Sequence, residues 1–238
     1  TAMPATPMTV VVVMGESLTP NHMSLFGYNR KTTPFLDSLS SSPDFYFGKG
    51  YSAANATRST MPMFYTLQYH PLDESRLRKQ DTNLFLLAKR HGFTTYYLSA
   101  QNSNCLNGVN LGAIDVMVTS DRQSEVFEED KDEGLLRLVR EIPVGGKRFI
   151  VVHQRNVHLP YQENTEHRPD FQRFPTQDLP FAEASTNAYD NAVLYADYLY
   201  RELLAELREK SAGPLYVFFT SDHGENLGEN GHWGHDQL

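Results

Sequence analysis

The residues with chemical potential stand just after apolar runs. Asp222-His223 follows Leu215 to Thr220, Glu16 follows Thr9 to Met14, and His153 and His158 follow Arg148 to Val152. Carboxylate oxygens and imidazole nitrogens are donors that zinc and related divalent ions accept. A loop punctuated by Gly224, Gly228, Gly231 and Gly234 is expected to bend sharply and return His232 and His235 to the place where Asp222-His223 ends its run. Thr57 precedes an apolar segment that begins at Met61, so its hydroxyl is predicted near a helix N-terminus, where free N–H groups can hold an oxyanion.

Each of these residues also has a plainer reading. Taken alone, Glu16 reads as a loop carboxylate, and Thr57 as a helix cap, the commoner role for a threonine in that position. His153 divides evenly between a core histidine and a site residue, and His158, further into its loop, is the better site candidate. Arg58 reads either as a solvated residue or as a fork for phosphate. Tyr28 and Arg30 read as structural. Taken together, an ion bound by Glu16, Asp222 and His223 has room for one more ligand, and a hydroxyl bound there loses its proton readily. Thr57 would then be a nucleophile, and the substrate a tetrahedral phosphoryl or sulfuryl centre passed on in two in-line steps. His158 and His235 would hold its oxygens or protonate the leaving group.

Parallel strands must carry these residues to one edge. Thr9 to Met14 is a β-branched run of the kind buried on both faces, and Arg148 to Val152 and Leu215 to Thr220 read as further buried strands. Thr94 to Leu98 and Ile114 to Val118 read as short strands. Helices are predicted after Thr32 or Thr33 with Pro34 in the first turn, over Asp81 to His91 with a cap at Asp81 or Thr82, within Glu128 to Ile142, and over Asn187 to Lys210. The long helix carries Tyr189, Val193, Ala196, Tyr200, Leu203, Leu204 and Leu207 on one stripe, which is core. Alternating strands and helices imply an α/β fold, a doubly wound and mostly parallel sheet with ligands at its carboxyl edge.

Composition narrows the function classes. The 238 residues suit one sizeable domain, and a formal charge of -8 without a cluster of Lys and Arg argues against nucleic acid as a partner. A single cysteine, Cys105, rules out an intrachain disulfide. Met8 to Met14 is too short an apolar run to span a bilayer. Residues 1–8 read as a linker or boundary segment, with one domain over 9–238.

The blocks G-E-S-L-T-P-N-H-M-S-L-F-G-Y-N-R-K-T-T-P, H-Q-R-N-V-H, Y-D-N-A-V-L-Y-A-D-Y and S-D-H-G-E-N-L-G-E-N-G-H-W-G-H together resemble the catalytic domain of bacterial phosphoethanolamine transferases. These belong to the sulfatase-like branch of the alkaline phosphatase superfamily. The resemblance implies zinc, one ion or two, with manganese as an alternative, at Glu16, Thr57, Asp222 and His223. It implies that Thr57 takes the phosphoethanolamine group, and that His158 and His235 bind substrate phosphate or a second metal. It further implies an inner-membrane protein whose catalytic domain faces the periplasm, anchored by helices upstream of Thr1 and completed by strands beyond Leu238. The donor would be phosphatidylethanolamine and the acceptor an envelope glycan or lipid, as in lipopolysaccharide modification. Cys105 stands alone where the lipid A enzymes carry several disulfides, which points the acceptor toward another branch. A phosphoglycerol transferase or phosphodiesterase of the same superfamily is the close alternative. Sulfate ester hydrolysis is disfavoured, since no Cys or Ser stands in a C/S-x-P-x-R context, and an inert metal-binding domain would lack a ligand position.

Overall fold

The computed structural model describes residues 6–68, 83–128 and 131–235. Its centre is strand β1 (Met8–Gly15), whose β-branched run fills a position between two neighbours. The other strands are β2 (Thr94–Ser99), β3 (Val116–Thr119), β4 (Lys147–His153) and β5 (Leu215–Ser221). They form one parallel sheet in the order β3-β2-β4-β1-β5.

Alternate residues of each strand face opposite sides, and both sides are covered. Val11, Val13, Leu98, Ile150 and Val152 pack into one core beneath α4 (Lys131–Glu141) and α5 (Phe181–Lys210). Val12, Met14, Tyr97, Phe149 and Val151 pack into the other, beneath α2 (Thr57–Tyr65) and α3 (Leu84–Arg90). Helices on both faces of a parallel sheet make the doubly wound α/β architecture that the sequence implies. None of the helices in the described residues is long and apolar enough to cross a membrane.

Three expectations need correction. Leu215 to Thr220 was expected to be a buried strand, but β5 is half exposed, with Tyr216 at 52% and Phe218 at 57%. Among the described residues β5 pairs only with β1, and α2 and α3 do not extend over that side of it. The long helix starts at Phe181, six residues ahead of the expected Asn187, because A-E-A-S-T-N is polar yet compatible with helix. For α3, Asp81 and Thr82 lie outside the described residues, and the N-cap is Asn83, whose side chain accepts from Leu86 N at 2.8 Å. Asn83→Ala is expected to cost about 1 kcal/mol, read as a lower urea midpoint with unchanged slope.

Helix α1 (Pro34–Leu39) begins at Thr33 with Pro34 in its first turn, as expected, but the threonine does not cap it. The Asp197 carboxylate of α5 accepts from Phe35 N and Leu36 N instead, tying the loop after β1 to the long helix. Tyr28 and Arg30 are structural: with His22 they converge on the buried Asp190 carboxylate, at 2.8, 2.8 and 2.7 Å. These ties fix the segment that follows Glu16.

Candidate metal centre

Strand register creates the site. Gly15 pairs with Ser221, so the residues one step beyond, Glu16 and Asp222, leave the sheet side by side, and Asp222 N donates to Gly15 O at 3.1 Å. Gly15 is required by packing. A Cβ there would lie 2.5 Å from Leu18 Cδ1 and 2.8 Å from the Tyr200 hydroxyl. Gly15→Ala is therefore expected to lower stability by about 1–3 kcal/mol and to shift Glu16, read by urea denaturation and by metal content.

Glu16, Asp222 and His223 are all buried, and each offers a donor atom within 4.8 Å of the others. His223 Nε2 lies 3.2 Å from Glu16 Oε1 and 3.4 Å from Asp222 Oδ2. Its Nδ1–H donates to Gly224 O at 2.9 Å, which leaves Nε2 facing the two carboxylates. Thr57 Oγ1 is drawn to all three groups, 2.6 Å from Asp222 Oδ2, 3.1 Å from Glu16 Oε2 and 3.3 Å from His223 Nε2. This hydroxyl is not a cap, because the N-cap of α2 is Ala56. The neighbouring hydroxyls are placed differently: Thr60 donates to Ala54 O, and Ser59 is exposed.

Electrostatics match the donor set. Burial, then the Glu16 charge, pushes Asp222 up to about 6. Burial also pushes Glu16 upward, but the hydrogen bond and charge of His223 outweigh it and hold that carboxyl well below the usual range. Burial disfavours charge on His223, yet the hydrogen bond to Glu16 and the charge of Asp222 raise it to about 9. Two buried carboxylates crowded around one imidazole and one hydroxyl is the charge balance and oxygen-nitrogen chemistry that a divalent cation satisfies.

The surrounding shell contains residues that the sequence reading passed over. Gln101 donates from Nε2 to Glu16 Oε2 at 2.5 Å and to Gln154 O at 3.1 Å. Ser17 donates to Glu16 Oε1 at 2.7 Å. Glu225, also unremarked, is buried and accepts from His235 Nδ1 at 3.2 Å. The available signal was position: Gln101 lies just past the end of β2, and Glu225 three residues after Asp222.

The histidines divide. His153 is a core residue, fully buried between the Tyr97 hydroxyl, 2.9 Å from Nδ1, and the Gln101 amide, and burial lowers it to about 4. His158 lines a cavity of about 720 Å³ together with Thr57 and His235. Burial and then Arg155 hold its pKa down, and Nδ1–H donates to Leu159 O, leaving Nε2 available. Val157, just before it, is buried at φ 81, a left-handed conformation that a β-branched residue adopts only under constraint.

The glycine loop forms a small hairpin of β6 (Asn226–Leu227) and β7 (Trp233–Gly234). At Gly228, φ is 106 and a Cβ would press on the Trp233 ring at 2.9 Å. The hairpin returns His235 to the site, with its ring centroid 4.2 Å from that of His223 and 6.3 Å from that of His158. His232, expected beside it, stands exposed on the loop instead, on the turn between β6 and β7.

The sulfatase family model matches residues 8–237. The Kdo(2)-lipid A phosphoethanolamine 7''-transferase of Escherichia coli is 26% identical over 94% of this chain and 40% of its own length. The integral membrane protein lipooligosaccharide phosphoethanolamine transferase A of Neisseria meningitidis superposes with a TM-score of 0.77 at 27% identity, over 99% of this chain and 46% of that one. The C-terminal periplasmic domain of EcEptC from Escherichia coli, crystallised in complex with Zn, shares the fold with a TM-score of 0.75 at 24% identity, covering 97% and 68%. The chain thus spans about two fifths of the length of the curated relatives it matches. With strand order, metal-type donor cluster and a family model covering nearly every residue in agreement, the chain belongs to the sulfatase family.

Proposed function

We propose that this chain is the catalytic domain of a metal-dependent transferase. It moves phosphoethanolamine from phosphatidylethanolamine, through Thr57, to a glycan or lipid of the cell envelope. The observation that carries this reading is the Thr57 hydroxyl, held at the start of α2 within 3.3 Å of Glu16, Asp222 and His223. Support also comes from relatives named as phosphoethanolamine transferases, from the membrane anchoring of the Neisseria protein and from the periplasmic location of the EcEptC domain. On that reading the domain faces the periplasm from the inner membrane.

Glu16, Asp222, His223 and Thr57 would hold the ion, zinc as in the EcEptC complex, with manganese as the alternative. When bound, it acts as a Lewis acid that lowers the pKa of the threonine hydroxyl and offsets charge on the phosphoryl oxygens. Thr57 Oγ attacks the phosphorus, the bond to the diacylglycerol oxygen breaks, and that oxygen leaves with a proton. An acceptor oxygen then attacks from the side opposite Thr57 Oγ, loses its proton and frees the threonine. Gln101 and Ser17 keep Glu16 oriented during both steps. Nε2 of His158 and of His235 serve the nonbridging oxygens or the leaving oxygen, with Glu225 orienting His235. The N-terminus of α2 adds backbone N–H groups to the same anion.

The test compares donors. Micelles of phosphatidylethanolamine should yield diacylglycerol in a zinc-dependent reaction, while phosphatidylglycerol should be at least about 10-fold poorer, a discrimination of the size that one headgroup contact supplies. Turnover of phosphatidylglycerol alone would replace this reading with phosphoglycerol transfer.

A further inference from the structure

Three cationic side chains on the cavity wall have no role in the chemistry above. Arg58 follows the nucleophile in the first turn of α2, Arg155 lies in the loop after β4, and Lys131 opens α4. They converge because Asp132, next to Lys131, accepts from the backbone N–H groups of Arg155 and Asn156, both at 2.8 Å. That buried carboxylate pins the Arg155 loop to the start of α4.

Elsewhere in the molecule, guanidinium groups on packed surfaces are engaged. Arg30 bonds Asp190 and Asn187, and Arg148 bonds Thr9 and two carbonyls. The side chains of Arg58, Lys131 and Arg155 make no ion pair or hydrogen bond among the described residues, although they share one concave wall. Among the described residues Glu128 is the acidic one on that wall, outside the metal centre. Among the described lining residues three cations stand against one carboxylate, a positive balance beyond what a single transferred phosphoryl group at the metal centre uses. Two arginine forks and an ammonium suit a phosphate monoester, which offers several oxygens and up to two charges.

We propose that Arg58, Lys131 and Arg155 form an acceptor subsite that selects an envelope glycan or lipid already bearing a phosphate monoester, anchoring that phosphate while a neighbouring oxygen attacks at Thr57. This rests on the transferase reading and specifies its acceptor. The subsite is a positioning device: it acts on acceptor binding, so its loss raises KM for the phosphorylated acceptor far more than it lowers kcat.

The test has two readouts. In the first, isothermal titration with inorganic pyrophosphate compares the wild-type chain with Arg58→Gln, Arg155→Gln and the double variant, with Arg90→Gln, exposed at the end of α3 ahead of β2 and not a lining residue of the cavity, as control. Each subsite change should weaken binding by about 10-fold, as expected for a lost charge-assisted hydrogen bond. Equal affinity in wild type and double variant would overturn the inference. In the second, transfer from phosphatidylethanolamine is followed with maltose and with maltose 1-phosphate as acceptors. The phosphorylated sugar should be preferred by about 10-fold or more in kcat/KM, through KM, and the preference should collapse in the double variant. Equal use of the two sugars by the wild type would overturn the inference and leave the transferase reading standing. Arginine-dependent pyrophosphate binding in a protein that neither releases diacylglycerol from phosphatidylethanolamine nor transfers to either sugar would overturn the transferase reading and leave the phosphate subsite standing.

Discussion

Thr57→Ala is expected to reduce transfer by at least about 10⁴-fold, since loss of a covalent nucleophile removes a whole reaction path rather than one contact. In barrier terms that is about 5.5 kcal/mol. Folding should hardly change, because the methyl of Ala replaces a half-buried side chain at the first turn of α2, and the cap position belongs to Ala56. Far-UV circular dichroism and the urea midpoint check the fold, and steady-state release of diacylglycerol checks activity. Thr57→Ser keeps an oxygen at the same place and should restore a covalent adduct. If Thr57→Ala retained activity, the nucleophile would have to be Ser59 or Thr60. The geometry opposes both, with Ser59 exposed and Thr60 bonded to Ala54 O.

The second large effect belongs to Asp222. Asp222→Asn preserves an oxygen that can accept from Ser17 N and His223 N, which Asp222 Oδ1 now does at 3.2 and 2.8 Å. It removes the negative charge that a cation requires, and zinc affinity should fall by more than about 100-fold, beyond the range seen when only an outer-shell partner is lost. A ligand present at a thousand times its Kd stabilises the native state by about 4 kcal/mol. For a domain of this size that is a Tm rise of roughly 8–16 °C on adding zinc to the wild type, and Asp222→Asn, with at least about 100-fold weaker binding, should keep about a third of it or less. Without zinc the variant should be at least as stable as the wild type without zinc, because it removes a buried charge and the repulsion from Glu16, which together raise Asp222 to about 6. A purely structural Asp222 would give the opposite pattern: a less stable variant and an unchanged response to zinc. Differential scanning calorimetry with and without a chelator, alongside elemental analysis, separates the two.

Much of the fold was legible because its strands are short apolar runs with chemistry directly behind them. Glu16 and Asp222-His223 each follow such a run, and a parallel sheet puts all such ends on one edge. What a single segment cannot express is what lies beside it. The alternation of Leu215 to Ser221 becomes visible as half exposure only once β5 is known to pair with β1 alone among the described strands. Thr57 carried the same ambiguity: a threonine at a helix start looks like a cap until through-space distances direct its hydroxyl at Asp222. Gln101 and Glu225 were missed for a related reason. Amide and carboxylate side chains in loops take their role from the partner they meet, and Glu16 and His235 are 85 and 10 residues away from them in the chain. The glycine loop was read correctly for His235 and incorrectly for His232, since a hairpin turns side chains three residues apart in different directions.

The most direct test of the account is mass spectrometry of the zinc-loaded protein after incubation with phosphatidylethanolamine, with the adduct mapped by peptide fragmentation. One phosphoethanolamine group is expected on Thr57, formed only when zinc is bound and absent in Thr57→Ala. A protein that binds zinc and releases diacylglycerol, yet carries its adduct on another residue or none at all, would contradict it.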